Sequence, residues 1–80
     1  MELRQLETFR AVGRELSFSR AAAGLGYVQS SVSSQVASLE RELGVVLFDR
    51  LGRRIALTDA GRVMLAYSER LLDLAQGVLV

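Results

Sequence analysis

Phe18-Ser19-Arg20-Ala21-Ala22-Ala23-Gly24-Leu25-Gly26 runs directly into Tyr27-Val28-Gln29-Ser30-Ser31-Val32-Ser33-Ser34-Gln35-Val36, with a single break in periodicity between the two runs. Ser17 and Ser19 offer N-cap oxygens to a short helix through Arg20-Ala21-Ala22-Ala23. That helix runs to about Gly24, where Gly24-Leu25-Gly26 supplies the permissive backbone of a tight turn. A longer helix follows from about Gln29 to Leu43, with Val32, Val36, Leu39 and Leu43 on its inner face and Gly44 at its C-terminal cap. Short helix, glycine turn, longer helix is the helix-turn-helix pattern, here over about residues 18–37. Three consecutive alanines let two helix backbones approach closely at a steep crossing. A generic pair of antiparallel helices is the alternative reading of this pattern.

Outward from this centre, Leu3, Leu6, Phe9, Val12 and Leu16 recur at spacings of three and four, the stripe of an amphipathic helix over residues 3–16. After Gly44 the period changes. Val45-Val46-Leu47-Phe48 and Ile55-Ala56-Leu57 are short β-prone runs that flank Leu51-Gly52-Arg53-Arg54, which predicts a small hairpin over about residues 46–57. Thr58 then caps a long helix, with Asp59 placed at its positive end. Along that helix Met64, Tyr67, Leu71, Leu74 and Val78 step in heptad fashion, and Leu65, Leu72 and Leu79 form a second stripe beside them. One stripe packs on the small body and the other stays free to dimerise. The helix is expected to continue in a longer protein, because about 20 residues of helix span roughly 30 Å, more than so small a body covers. A helix packed wholly within one monomer is the competing reading.

Composition narrows the chemistry. Eighty residues make one small domain, and with 50% apolar residues it is not a disordered tail. The chain has neither Cys nor His, so no disulfide or zinc site can staple its core, and extra stability is expected from association. His, Cys and Lys are all absent, which removes the usual general base, the thiol nucleophile, the Schiff base and the P-loop lysine. Glu40 and Glu42 are two apart on a helix and point away from each other. Only oxygen ligands remain for a metal, and no D-x-[DN]-x-[DN]-G run occurs. The expectation is a binding module without a cofactor or metal, not an enzyme. No secretory or membrane segment is predicted: MELRQLETFR lacks an apolar run, and residues 21–39, though uncharged, are too polar at their centre for hydrocarbon.

The net charge of +1 names no partner, and its distribution says more. All ten cations are Arg, and Arg50, Arg53 and Arg54 fall within five residues. Arg presents a planar fork suited to phosphates and guanine edges. At the start of the third helix, positions 29, 30, 33, 34 and 37 share the face opposite the apolar stripe and carry Gln, Ser, Ser, Ser and Ala. A recognition helix enters the major groove N-terminus first, where small side chains let the backbone near the base edges. Gln can bridge the two adenine groups, Ser can bond bases or phosphates, and the helix terminus attracts phosphate oxygens. A merely solvated helix start is the bland alternative. At the hairpin tip, Arg53 is placed to reach a narrow minor groove, and Arg54 to meet phosphate or solvent. Arg50 is assigned a structural role, pairing with Asp49, Glu40 or a backbone carbonyl. Arg4 and Arg20, near helix N-termini, are candidates for the flanking DNA backbone.

Together, Phe18-Ser19-Arg20-Ala21-Ala22, Gln29 through Gln35, Leu39-Glu40-Arg41-Glu42-Leu43-Gly44, Leu47-Phe48-Asp49-Arg50, Arg53 and Leu57-Thr58-Asp59-Ala60-Gly61 resemble the N-terminal winged helix-turn-helix of LysR-type transcriptional regulators. The resemblance runs from about Arg4 into the long helix. It implies a mainly α fold: a winged helix-turn-helix over residues 1–58, three helices plus a small β-hairpin wing, then a linker helix over 59–80. It further implies a bacterial, cytoplasmic regulator that binds an interrupted inverted repeat in double-stranded DNA. It implies as well a homodimer paired through linker helices, often a tetramer at full length, and a small-molecule effector bound by a domain lying beyond residue 80. The family's groove-reading positions fall on Gln29, Ser30, Ser33 and Ser34, and its wing contact on Arg53. Ser19, Arg20, Ser31, Arg4 and Arg54 are candidates for the DNA backbone, and Met64, Tyr67, Leu71, Leu74 and Val78 for dimerisation. Three departures stand out: Ser30 where the family often has Pro, Ser34 where many members have Arg or Lys, and Val28 in the usual Ser/Thr cap slot. The last predicts a helix that begins a residue or two late, capped by Ser30 or Ser31. The loss of a cation at 34 predicts greater dependence on the wing and on DNA shape. The alternative from another class is a helical module that uses the winged body and the heptad helix to bind protein.

Overall fold

A computed structural model describes residues 1–77. Six elements follow in order: α1 (Leu3–Glu15), α2 (Phe18–Leu25), α3 (Gln29–Leu43), β1 (Phe48–Leu51), β2 (Arg54–Leu57) and α4 (Asp59–Gly77). This is the expected winged helix-turn-helix with a long fourth helix.

The apolar stripes of the first three helices meet in one core. Leu6, Phe9 and Val12 of α1, Phe18, Ala21 and Ala22 of α2, and Val32, Val36 and Leu39 of α3 are all buried, joined by Leu47, Phe48 and Leu72. Ala21 and Ala22 are the close-approach residues, while Ala23 faces out. Phe48 carries the wing into this core, its ring 5.5 Å from Phe9 and 5.8 Å from Phe18 in tilted and edge-on geometry. Between α1 and α3 the packing is partly polar. The buried Thr8 hydroxyl donates to Gln35 Oε1 at 2.7 Å, and Gln5 Nε2 donates to Ser38 Oγ at 3.3 Å. These directional bonds add to the burial of Val32, Val36 and Leu39 in holding α3 with its polar edge outward.

Several boundaries differ from the sequence reading. Leu3, Leu16 and Leu43, expected on inner faces, are exposed. Leu16 caps α1 in the left-handed region (φ 50°), which turns its side chain out of the helical stripe. Leu43 lies in the last turn before the Gly44 cap and lines an outer groove with Val45 and Tyr67. α2 extends to Leu25, one residue past Gly24, and closes on Gly26. Ser17, not Ser19, is its cap: the Ser17 hydroxyl accepts from Arg20 N–H at 3.1 Å.

The first strand begins at Phe48, not Val45. Val45 to Leu47 form a connection held by Glu40, whose carboxylate accepts from Leu47 N–H at 2.7 Å and whose carbonyl accepts from Gly44 N–H at 2.8 Å. β1 and β2 pair antiparallel, with Arg50 opposite Ile55 and Leu51 opposite Arg54. Arg54 therefore belongs to a strand, and the tip shrinks to Gly52-Arg53. Gly52 has φ 65° while Arg53 keeps a negative φ, the pattern of a type II′ turn, for which Gly is preferred first.

Thr58 fastens the start of α4. Its hydroxyl donates to the Val46 carbonyl at 2.6 Å and accepts from Gly61 N–H at 2.9 Å. From there α4 crosses α1, with Leu72 and Ser68 buried and Leu65 half-buried beneath it. A two-point ion pair locks the crossing: Arg14 Nε lies 2.9 Å and Nη2 2.5 Å from the two carboxylate oxygens of Glu69. The opposite side of α4 leaves Val63, Tyr67, Leu71 and Leu74 exposed. Met64, expected among them, instead packs partly on the core, because it sits between the two stripes. Val78 lies outside the described residues.

Candidate nucleic-acid interface

α3 starts at Gln29, with Val28 as its N-cap and no side-chain hydrogen bond there, so neither Ser30 nor Ser31 caps it. Extended backbone at Val28 (φ −76°, ψ 150°) lets its carbonyl accept from Ser31 N–H at 3.1 Å without a capping side chain. Val28, Gln29, Ser30 and Ser34 are exposed, and Ser31 and Ser33 half-buried. None of the five polar residues is in the core, where Val32 and Val36 occupy the inner face. The uncharged polar edge thus points outward as the periodicity predicts.

A groove lies on each flank of that edge. One is lined by Ser17, Phe18, Ser19, Gln29, Arg50 and Arg53 and has a volume of about 240 Å³. It brings the start of α2, the start of α3 and the wing tip around one concavity. Ser19 is exposed beside the Ser17 cap, with the two hydroxyls 3.3 Å apart. Arg53 projects from the turn, and Arg50 stacks on the Phe18 ring with its guanidinium carbon 4.6 Å from the centroid. The sequence reading pairs Arg50 with Asp49, Glu40 or a backbone carbonyl; among the described residues it meets none of them and stacks on Phe18 instead. The register explains it: Phe48, Arg50, Ile55 and Leu57 share one face of the hairpin, turned toward the body. Arg54 is on the other face and lines neither groove.

The second groove, about 350 Å³, is lined by Glu2, Arg4, Gln5, Ser31, Ser34 and Gln35. Arg4 stands over the Tyr27 ring at 4.9 Å, so the start of α1 borders the same helix edge from the other side. Arg20 is turned back onto α1, donating to the Glu15 carbonyl at 3.0 Å and lying 3.5 Å from its carboxylate. It lines neither flanking groove. Residues that sequence reading left unassigned help hold the surface: Thr8 and Gln35 through their buried bond, and Tyr27 beneath Arg4. The signal available for Thr8 was its place one turn before Val12, at the edge of the apolar stripe. Among the described residues there is no group of three or more metal-ligating side chains, and no helix is long and apolar enough to cross a membrane.

The family of bacterial regulatory helix-turn-helix proteins of the lysR type matches residues 3–62. The chain belongs to this family. Its 76 aligned residues are 45% identical to the uncharacterized HTH-type transcriptional regulator YwqM of Bacillus subtilis (strain 168), covering 95% of the chain and 26% of that protein. The probable RuBisCO transcriptional regulator of Nostoc sp. (strain PCC 7120 / SAG 25.82 / UTEX 2576) is 51% identical over 74 residues, 92% of the chain and 22% of that protein. The chain therefore spans about a quarter of the length of these two curated relatives. Among solved structures, the crystal structure of the BenM_DBD/catB site 1 DNA complex superposes with a TM-score of 0.94 at 38% identity, over 99% of this chain and 88% of that one. As a LysR-family domain, this chain has the fold of DNA-binding segments crystallised with DNA.

Proposed function

We propose that the chain is a sequence-specific double-stranded DNA-binding domain of a LysR-type transcriptional regulator, working in the bacterial cytoplasm as a binding module and not as an enzyme. The carrying observation is the outward polar edge of α3, with the Arg53 wing groove on one flank and the Arg4 groove on the other. Gln29, Ser30, Ser33 and Ser34 read bases from the major groove, and Arg53 enters the adjacent minor groove. Ser19, Ser31, Arg4 and Arg54 meet the backbone, and Arg20 joins them on leaving Glu15. Residues 1–58 form the reading head, and α4 serves as the linker helix. Two copies pair through the exposed Tyr67, Leu71 and Leu74, with Met64 at the margin and Val78 beyond the described residues. The pair then spans an interrupted inverted repeat, with tetramers and effector control belonging to a longer protein.

Titrating the chain against duplex DNA at several salt concentrations tests this. Log affinity should fall linearly with log salt, at a slope of about −0.9 per phosphate neutralised. A flat salt dependence would overturn it in favour of a protein-binding module.

A further inference from the structure

α3 begins without the device common at helix starts. Ser, Thr, Asp and Asn are favoured at the N-cap because their oxygens accept from the first free N–H groups. Here the position holds Val28, which makes no side-chain cap bond. Nor does Val28 serve the core: it is 67% exposed, among the most open of the large apolar residues. An isopropyl group that neither caps nor packs stands at the leading edge of α3, followed by the exposed Gln29 and Ser30. It has no donor for a phosphate, so it is no anchor either. Thymine is the base that offers a methyl group to the major groove, and apolar side chains recognise it there.

We infer that Val28 is a specificity-determining residue: its isopropyl group packs on the C5-methyl of a thymine at the edge of each half-site, beside the base read by Gln29. The inference rests on the DNA-binding reading above and deepens it by naming one base. It accounts for an apolar group held in water at a helix start. Contact with the methyl removes both from solvent when the complex forms.

The test uses the duplex that the chain itself selects from a random pool, with each thymine of the half-site replaced in turn by deoxyuridine. This change deletes the methyl and keeps the O4 acceptor and the pairing. One replacement per half-site should weaken binding about fourfold, the factor for burying one methyl group. The same replacement should leave Val28→Ala and Val28→Ser unaffected. Val28→Ser restores a capping oxygen, so its folding is secure. Specific binding in which no deoxyuridine matters, or in which the penalty persists in both variants, overturns the assignment and leaves the DNA reading standing. Failure to select any sequence overturns both.

Discussion

The carbonyl oxygen of Leu47 lies directly over Gly61, closer than any Cβ at that position could tolerate. The same carbonyl accepts from Thr58 N–H at 3.0 Å, so it is held in place by the turn that starts α4. Gly61 is what allows the connection into β1 and the first turn of α4 to share that spot.

Gly61→Ala should destabilise the fold by about 2–3 kcal/mol, since backbone, not a flexible side chain, must move. Gly13→Ala is the control. The atoms nearest its Cβ would be Leu65 side-chain carbons, the first at 3.2 Å, and Ala gains helix propensity. Urea denaturation should place Gly13→Ala within about 1 kcal/mol of the parent.

Ser68 is fully buried on the inner face of α4, and its hydroxyl has no hydrogen-bond partner among the described residues. Replacement by Ala removes an unsatisfied group and keeps the volume nearly constant. Ser68→Ala should raise stability by about 1–2 kcal/mol, seen as a higher Tm in thermal melts. A lower Tm would mean that the hydroxyl has a partner after all.

Much of this architecture was legible because period and punctuation agree. Val32, Val36 and Leu39 lie on one helical face and are buried, and Gly44 ends the helix where it stands in sequence. What escaped reading depended on partners distant in sequence. Val45 and Val46 are β-prone yet remain outside the hairpin, because Glu40 and Thr58 hold that segment as a connection. Arg50 has Asp49 beside it in sequence but stacks on Phe18, which strand register brings near. The outward edge of α3 followed from periodicity. The grooves beside it did not, since they need the wing and the start of α1 to fold against that helix.

The Arg14–Glu69 pair joins α1 to α4, and both side chains are partly exposed. A double-mutant cycle with Arg14→Gln and Glu69→Gln should return a coupling of under about 1 kcal/mol at low salt. The coupling should fade at molar salt as screening shortens to about 3 Å. Because the pair spans residues 14 and 69, its loss should also loosen the angle of α4, the helix proposed to pair two copies, detectable as weaker self-association in sedimentation.

Gln29 and Arg53 line one groove yet are expected to fail differently when removed. Gln29 sits at the first position of α3, where a side-chain amide can reach the paired donor and acceptor of adenine. Gln29→Ala should therefore relax base preference at one position per half-site, costing about 1–3 kcal/mol there and little elsewhere. Arg53, at the tip of a type II′ turn, carries a charge that a narrow minor groove attracts. Arg53→Ala should weaken binding most on sites with A·T-rich flanks, and should lower the salt slope by about one phosphate. Competition binding across a panel of duplexes varying the half-site and its flanks separates the two. Equal losses on every sequence from both variants would show that the two residues share one role, and that the division between base reader and groove anchor is wrong.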